Sequence, residues 1–332
     1  MPHSSVATDW KFLAAEILNG REITRDEALA IVQAPDEEVL EILGAAFLIR
    51  QKYFGRKVKL NMLLNAKSGL CPEDCGYCSQ SVVSEAPVKK YGWVTREEIL
   101  EGAREALNRK AGTYCIVASG RKPTDREIDH LAEAVKELRA TTKLKICCCL
   151  GLLTEGQARK LAEAGVQRYN HNINTSEQKY EDICSTHTYE DRVDTITRSK
   201  EAGISPCSGV IFGIGESDED TVEMAFALKA LGADSIPCNF LHPVEGTPME
   251  GRWELTPRKC LKLLAMMRFV NPSKEVRIAG GREVNLRSMQ AMGLYAANSI
   301  FVGDYLTTPG QQPVKDWEMI EDLGFEIEDP TP

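Results

Sequence analysis

The apolar positions change period near residue 55. From about residue 7 to 53 they recur at helical spacing: Phe12, Ile17 and Leu18, then Ala28, Leu29 and Val32, then Val39, Leu40, Leu43 and Leu48. Beyond that point short β-like runs alternate with amphipathic stretches. The runs predict strands at 60–64, 113–118, 144–150, 166–170, 204–211, 234–240, 275–279 and 299–302. Helices are predicted between them, at 96–110, 124–140, 154–164, 189–202, 217–231, 256–270 and 283–297. Thr95 with Glu98 has the spacing of a capping box, and Thr256 precedes Pro257. Alternating strands and helices imply parallel strands joined by right-handed crossovers. Eight such strands predict an α/β fold, a (β/α)8 TIM-type barrel with an N-terminal helical extension. The predicted layout is an extension over 1–55, a barrel over 56–305 and an acidic tail over 306–332, read as a surface helix and a frayed end.

Side chains alternate along a strand, so the runs also predict what faces the barrel axis. In 144–150, Leu144, Ile146, Cys148 and Leu150 share an apolar face suited to packing under helices. Cys147 and Cys149 lie on the other face. Cys115 lies opposite Tyr114 and Ile116, Cys207 shares a face with Ser205 and Gly209, and Arg277 lies opposite Val276 and Ile278. Three strand cysteines and an arginine are thus expected to converge inside the barrel. A single strand cysteine reads most simply as a small buried hydrophobe, the reading given to Cys148, Cys184, Cys238 and Cys260. An inward arginine needs a partner, because an unpaired buried charge is expensive. That partner is an inward carboxylate, or else an anion or metal–sulfide cluster.

Composition narrows the function. The 332 residues are 43% hydrophobic, enough for a sizeable core. No apolar stretch approaches the ~20 residues of a membrane span. A net charge of -9 argues against a broad nucleic-acid surface. The chain starts without a signal-peptide pattern and carries 11 cysteines, an odd number, so reduced thiols and a cytoplasmic location are expected.

The most specific chemistry is in Leu70-Cys-Pro-Glu-Asp-Cys-Gly-Tyr-Cys-Ser79. Cys71, Cys75 and Cys78 are spaced C-x3-C-x2-C, with Tyr77 before the last. Three thiolates can wrap one soft metal centre and leave a coordination position open, whereas an iron–sulfur cube normally takes four. A structural zinc site would want a second ligand pair, and none follows. Disulfides suit small secreted chains. Elsewhere, Tyr169-Asn-His-Asn-Ile-Asn-Thr-Ser176 is dense in amides at a strand end, suited to a ribose or a cyclic urea, and Asn239 ends another strand. The run 209–216 reads G-x-x-x-G-x-G, which is not a dinucleotide fingerprint.

The cysteine spacing with its aromatic resembles the radical S-adenosylmethionine (SAM) superfamily. Within it, nearly the whole chain, from about 45 to 325, resembles the biotin synthase family. The resemblance rests on residues 65–80, Tyr169-Asn-His-Asn172, Cys207-Ser-Gly209, Arg277-Ile-Ala-Gly-Gly-Arg-Glu283 and Ala297-Asn-Ser-Ile-Phe-Val-Gly303. It implies that Cys71, Cys75 and Cys78 hold a 4Fe–4S cluster whose open iron binds SAM. Cys115, Cys147, Cys207 and Arg277 are implied to hold a 2Fe–2S cluster, the family's proposed source of sulfur. Cys149 faces the same way as Cys147; the resemblance favours Cys147. SAM contacts are implied at Tyr77, Asn172, Asn174, Arg192, Ile211 and Glu216, and dethiobiotin contacts at Asn172 and Asn239. Asn174 stands where many relatives have aspartate, so it would meet the ribose through a neutral amide. The implied reaction takes hydrogen from unactivated carbons of dethiobiotin through a 5′-deoxyadenosyl radical and adds sulfur to give biotin, the last step of its biosynthesis. Implied partners are a flavodoxin- or ferredoxin-type electron donor, iron–sulfur assembly proteins and a second copy in a homodimer. The alternatives are another small-molecule radical SAM barrel enzyme and a non-catalytic iron–sulfur scaffold or sensor.

Overall fold

The computed structural model describes residues 8–329. Its strands are β1 Lys57–Lys67, β2 Thr113–Ala118, β3 Lys145–Cys149, β4 Arg168–Asn170, β5 Ser205–Cys207, β6 Val210–Phe212, β7 Ser235–Phe240, β8 Glu275–Ile278, β9 Ser299–Phe301 and β10 Glu326–Ile327. All of them pair in parallel, and β1 pairs with β9, so the sheet closes on itself. β5 and β6 both pair with β7 and make one interrupted stave, giving the eight-stave barrel expected. Helices follow the staves and pack outside.

The interruption departs from the continuous strand predicted over 204–211. A Cβ on Gly209 would lie 2.0 Å from the Pro237 carbonyl oxygen, so only glycine lets the backbones approach there. The freed Gly209 N–H donates to Asn172 Oδ1 at 3.0 Å, which links the break to the amide-rich segment after β4. The helix predicted over 283–297 is also broken. It ends at Leu286, where Arg287 takes a left-handed φ of 52°, and resumes as Gln290–Gly293.

The local signals explain why the elements start where they do. Complete capping boxes open the helices at Thr24, Thr95, Thr124, Thr154, Thr188 and Ser217. The outward rows of the strands, including Ile116, Ile146, Cys148, Val276 and Ile300, join the main core. Helices Arg25–Gln33 and Val39–Phe54 pack on Pro257–Val270, and Trp10–Leu18 packs on Val39–Phe54. Arg50 is fully buried there; it donates from Nε to Ala297 O at 2.9 Å and from Nη2 to Lys57 O at 2.9 Å, and also to Gly55 O. The tail carries the predicted helix, Pro313–Asp322, and beyond it residues 326–328 are docked, β10 pairing with Lys57 and Val58 and Glu328 N–H donating to Val58 O. The last residues of the expected frayed end, 330–332, lie outside the described residues. Asp316 is fully buried against Arg282 at 2.7 Å.

Arg50→Met should leave three carbonyls short of a donor and lower stability by about 3 kcal/mol. A fall in the urea midpoint at unchanged slope would show it.

Candidate active site

The loop after β1 carries the cysteine motif at the C-terminal end of the barrel, where the staves open. Cys71, Cys75, Cys78 and Tyr77 line a cavity of about 270 Å³ together with Asn174 and Arg192. The loop is clasped by residues 183–187. Gly76 N–H donates to Ile183 O at 2.9 Å. Asp74 accepts from the backbone N–H of Ser185 at 2.9 Å and of Thr186 at 3.2 Å, and from the Ser185 hydroxyl. Those bonds hold its carboxyl far below the usual range against the opposing effect of desolvation. Glu73, buried, accepts from Thr186 Oγ1 at 2.7 Å and touches His187 Nδ1. His187 Nε2 in turn lies 2.7 Å from Arg192 Nη2. Arg192 can only donate, so His187 carries its proton on Nδ1, toward Glu73.

Arg192 is fixed on three sides. Besides His187 it donates from Nη1 to Asn172 O at 2.9 Å and from Nε to the Tyr180 hydroxyl. Two of its five N–H donors remain. Asn174 sits at φ 67°, rare for a residue with a side chain, while its backbone accepts from Ile211 N–H at 2.8 Å. Its Nδ2 donates to the Tyr77 hydroxyl at 2.6 Å, which leaves Oδ1 free to accept. Glu216 accepts from Gly213 N–H at 2.6 Å and Ile214 N–H at 2.8 Å and so shapes the turn after β6; burial pushes its carboxyl up.

A second cavity of about 320 Å³ runs from the loops at His242, Val244 and Thr307 down to the strand cysteines and shares walls with the first, including Tyr77, Cys78, Cys149, Asn172 and Ile211. Cys115, Cys147 and Arg277 line it, with apolar walls from Leu63, Val117 and Phe301. Cys115 and Cys147 are register partners across β2 and β3. The neighbouring Cys115 and Cys207 thiols and burial push the Cys147 thiol up, whereas the Cys147 thiol and the nearby Arg277 and Arg168 cations push Cys207 down. Cys207 Sγ also takes Asn170 Nδ2 at 3.4 Å and lies 4.0 Å from Arg277 Nη1. Cys149 faces the axis as expected and lines both cavities, at their junction. Cys148, Cys238 and Cys260 are core fillers.

The alternation argument therefore brings Cys115, Cys147, Cys207 and Arg277 together, and the loop motif forms a second, separate thiol group. Asn172 accepts from Asn170 and Gly209 through Oδ1, so its Nδ2 is the free end of a residue that lines both cavities. Asn239 also lines both, but its amide already bridges Val210 O (3.0 Å) and Gly280 N–H (3.0 Å). Cys184 departs from the expected core role: its Sγ is 3.6 Å from Cys75 Sγ and 3.2 Å from His187 Nδ1. The sequence reading missed Glu73, His187 and Glu275. Glu73 sits inside a motif already singled out, but its partner His187 lies 114 positions away. Glu275 lies two positions before Arg277 on the same strand face, a pairing the alternation could have found, whereas its second partner Arg168 is 107 positions away.

The donor chemistry fits metal–sulfide centres. All 11 cysteines are free, and two groups of soft ligands gather at the cavities. There burial pushes the Cys71 and Cys78 thiols up, as neighbouring thiols and burial do for Cys147, and a bound cation would favour their thiolates. A parallel barrel opening onto a three-cysteine loop defines the class, a radical SAM enzyme. The sequence pattern of the Radical SAM superfamily matches residues 67–228, and that of the Biotin and Thiamin Synthesis associated domain matches residues 237–326. The chain is 68% identical over 329 residues to the biotin synthase of Bacillus cytotoxicus, covering 99% of each protein, and 68% identical over 321 residues to that of Bacillus anthracis, covering 97% of each. It belongs to the biotin synthase family. The cofactors of such enzymes are SAM and iron–sulfur clusters. In fold it is similar to methylornithine synthase (TM-score 0.84, 18% identity, covering 95% of this chain and 97% of that one). It is likewise similar to a maturase of the [FeFe]-hydrogenase (TM-score 0.83, 19% identity, covering 98% and 77%).

Asp74→Asn should loosen the clasp without touching either cavity. Amide exchange of residues 70–80 and 183–187 should then speed up by roughly tenfold or more, with the barrel strands unchanged.

Proposed function

We propose that the two adjoining cavities divide the work of radical sulfur insertion into dethiobiotin, with SAM above and the sulfur source below. The observation that carries this reading is the presence of two distinct donor groups, one on each of two cavities that share walls. Cys71, Cys75 and Cys78 would hold a 4Fe–4S cluster; Cys115, Cys147, Cys207 and Arg277 would hold a 2Fe–2S cluster. When bound, the first supplies the electron that cleaves SAM and the second supplies the sulfur. Alkyl C–H bonds carry no acidic proton, so side-chain acids and bases cannot replace these groups.

The chain's own residues bind, orient and exclude water. Arg192, with two donors unoccupied, is placed to take the carboxylate of SAM. Asn174, held by Tyr77, offers Oδ1 to a ribose hydroxyl. Ile211 and the turn braced by Glu216 suit the adenine. Asn172, with a free amide nitrogen toward both cavities, suits a group that must be seen from both, such as the ureido carbonyl of dethiobiotin. Asn239 supports the same wall through its two backbone bonds. Leu63, Val117 and Phe301 keep the inner cavity apolar, which protects a carbon radical from water. Eleven free thiols fit a reducing, cytoplasmic compartment. An electron-donating flavodoxin- or ferredoxin-type protein, iron–sulfur assembly proteins and a homodimer complete the reading. No helix among the described residues is long and apolar enough to cross a membrane.

The test is anaerobic incubation of the reconstituted protein with SAM, dethiobiotin and reductant, followed by mass spectrometry. Both 5′-deoxyadenosine and biotin are expected. Deoxyadenosine alone would move the substrate elsewhere; neither product, from protein with intact clusters, would favour a scaffold or sensor.

Cys71→Ala should abolish both products. Cys147→Ala should keep deoxyadenosine formation and lose biotin by a factor of about 100 or more; retained biotin would remove Cys147 from the ligand set. Glu216→Ala should weaken SAM binding roughly tenfold through its turn, seen as a raised KM for SAM.

A further inference from the structure

Behind Arg277 lies a buried charge cluster whose centre, Glu275, has no role in the proposed chemistry. Glu275 is 3% exposed, two positions before Arg277 on the same inward face of β8. Its Oε1 accepts from Arg277 Nη2 at 2.5 Å and from the hydroxyls of Ser235 and Ser299, each at 3.1 Å. Its Oε2 accepts from Arg168 Nη1 at 2.8 Å and lies 3.5 Å from Lys59 Nζ. One carboxylate therefore faces three cations, and both its oxygens are occupied.

Arg277 is held in turn. Its Nε donates to Ser299 Oγ at 3.2 Å, and its Nη2 donates to Ser235 Oγ at 2.9 Å as well as to Glu275. A guanidinium is a rigid planar fork. With Nε and Nη2 fixed from below, its plane is set and Nη1 is the end presented to Cys207, at 4.0 Å. Arg168 reaches the same carboxylate from β4, where it is the register partner of Cys147.

We propose that Glu275 is a positioning residue for the inner centre: it fixes the edge that Arg277 turns to the cluster and, against Arg168 and Lys59, sets the charge beneath it. This rests on the reading of Cys115, Cys147, Cys207 and Arg277 as a cluster site. Glu275 does not touch substrate or the reacting atoms. It acts through the arginine in two separable ways, by orientation and by field. Loss of its charge leaves Arg277 and Arg168 without their carboxylate, while Lys59 keeps Glu328 at 3.6 Å, in a buried medium that screens charges little.

The test uses the full chain, reconstituted with both clusters, with E275Q, R168M and the double variant. The readouts are the reduction equilibrium and electron paramagnetic resonance of the 2Fe–2S centre, its rate of loss in the dark without SAM, and SAM cleavage at the outer loop as the control for folding. In E275Q the reduction equilibrium should move toward the reduced form by about tenfold, equivalent to about 59 mV for one electron. R168M should move it the opposite way. The double variant should return the equilibrium toward native while cluster loss stays several-fold faster, because charge is restored but the hold on Arg277 is not. E275D should recover part of the retention. Should E275Q fail to fold, R168M and E275D carry the comparison, and native potentials and retention in both would overturn the inference. An E275Q protein with native spectrum, equilibrium and retention would overturn it directly, leaving the cluster reading intact. A native protein that takes up iron and sulfide only at the outer loop would overturn that reading, and this inference with it.

Discussion

In a closed parallel barrel every stave must bury one row of side chains under the helices and turn the other toward the axis. Closure through β1 and β9 makes that division strict, because a slip of one residue would put every outward side chain inside. The chain satisfies it with strands whose outward rows are Ile, Val, Leu, Tyr, Phe and single cysteines. The inward rows are then free to carry polar and soft groups that a core would reject. Both cavities, and the separation of Cys147 and Cys149 from Cys148, follow from this one rule.

The inward rows create an electrostatic problem, which the floor of the barrel handles. Buried thiols resist ionisation, and buried cations resist burial. Arg168, Arg277 and Lys59 gather about Glu275, and Cys207 is pushed toward the thiolate first by its neighbour Cys147 and then by the Arg277 and Arg168 cations. The same serines that satisfy Glu275 also brace Arg277. An anionic centre above this floor would find its counter-charge already placed, with no reorganisation at the moment of reaction.

At the mouth the logic is mechanical. A loop with three cysteines has little reason to hold one shape without metal. Asp74 and Glu73 tie it to the 183–187 segment, and His187 passes the constraint to Arg192. The residue proposed for the SAM carboxylate is thus coupled to the loop proposed for the cluster through two hydrogen-bonded contacts. The break at Gly209 serves the same end. It frees one N–H for Asn172 and lets Asn174 pair with the break at Gly209 and with Ile211 of β6.

The sequence alone determined the barrel, its helical extension, the cap positions, the two thiol groups and the inward face of Arg277. These depend on periodicity and local spacing, which are written along the chain. It also held the cue to the floor, because an inward arginine requires a partner. Tertiary structure decided that Glu275 answers Arg277 with Arg168 opposite, that Cys184 faces Cys75, that β5 and β6 are one broken stave, and that the tail docks on β1. Arg168 and Glu275 are 107 positions apart, Cys75 and Cys184 109, and the tail and broken stave are fixed by pairing with distant strands. Only the Glu275–Arg277 contact, two positions apart on one inward face, was within reach of strand alternation. Period tells which face a residue takes; only closure of the sheet fixes which other residue shares its depth.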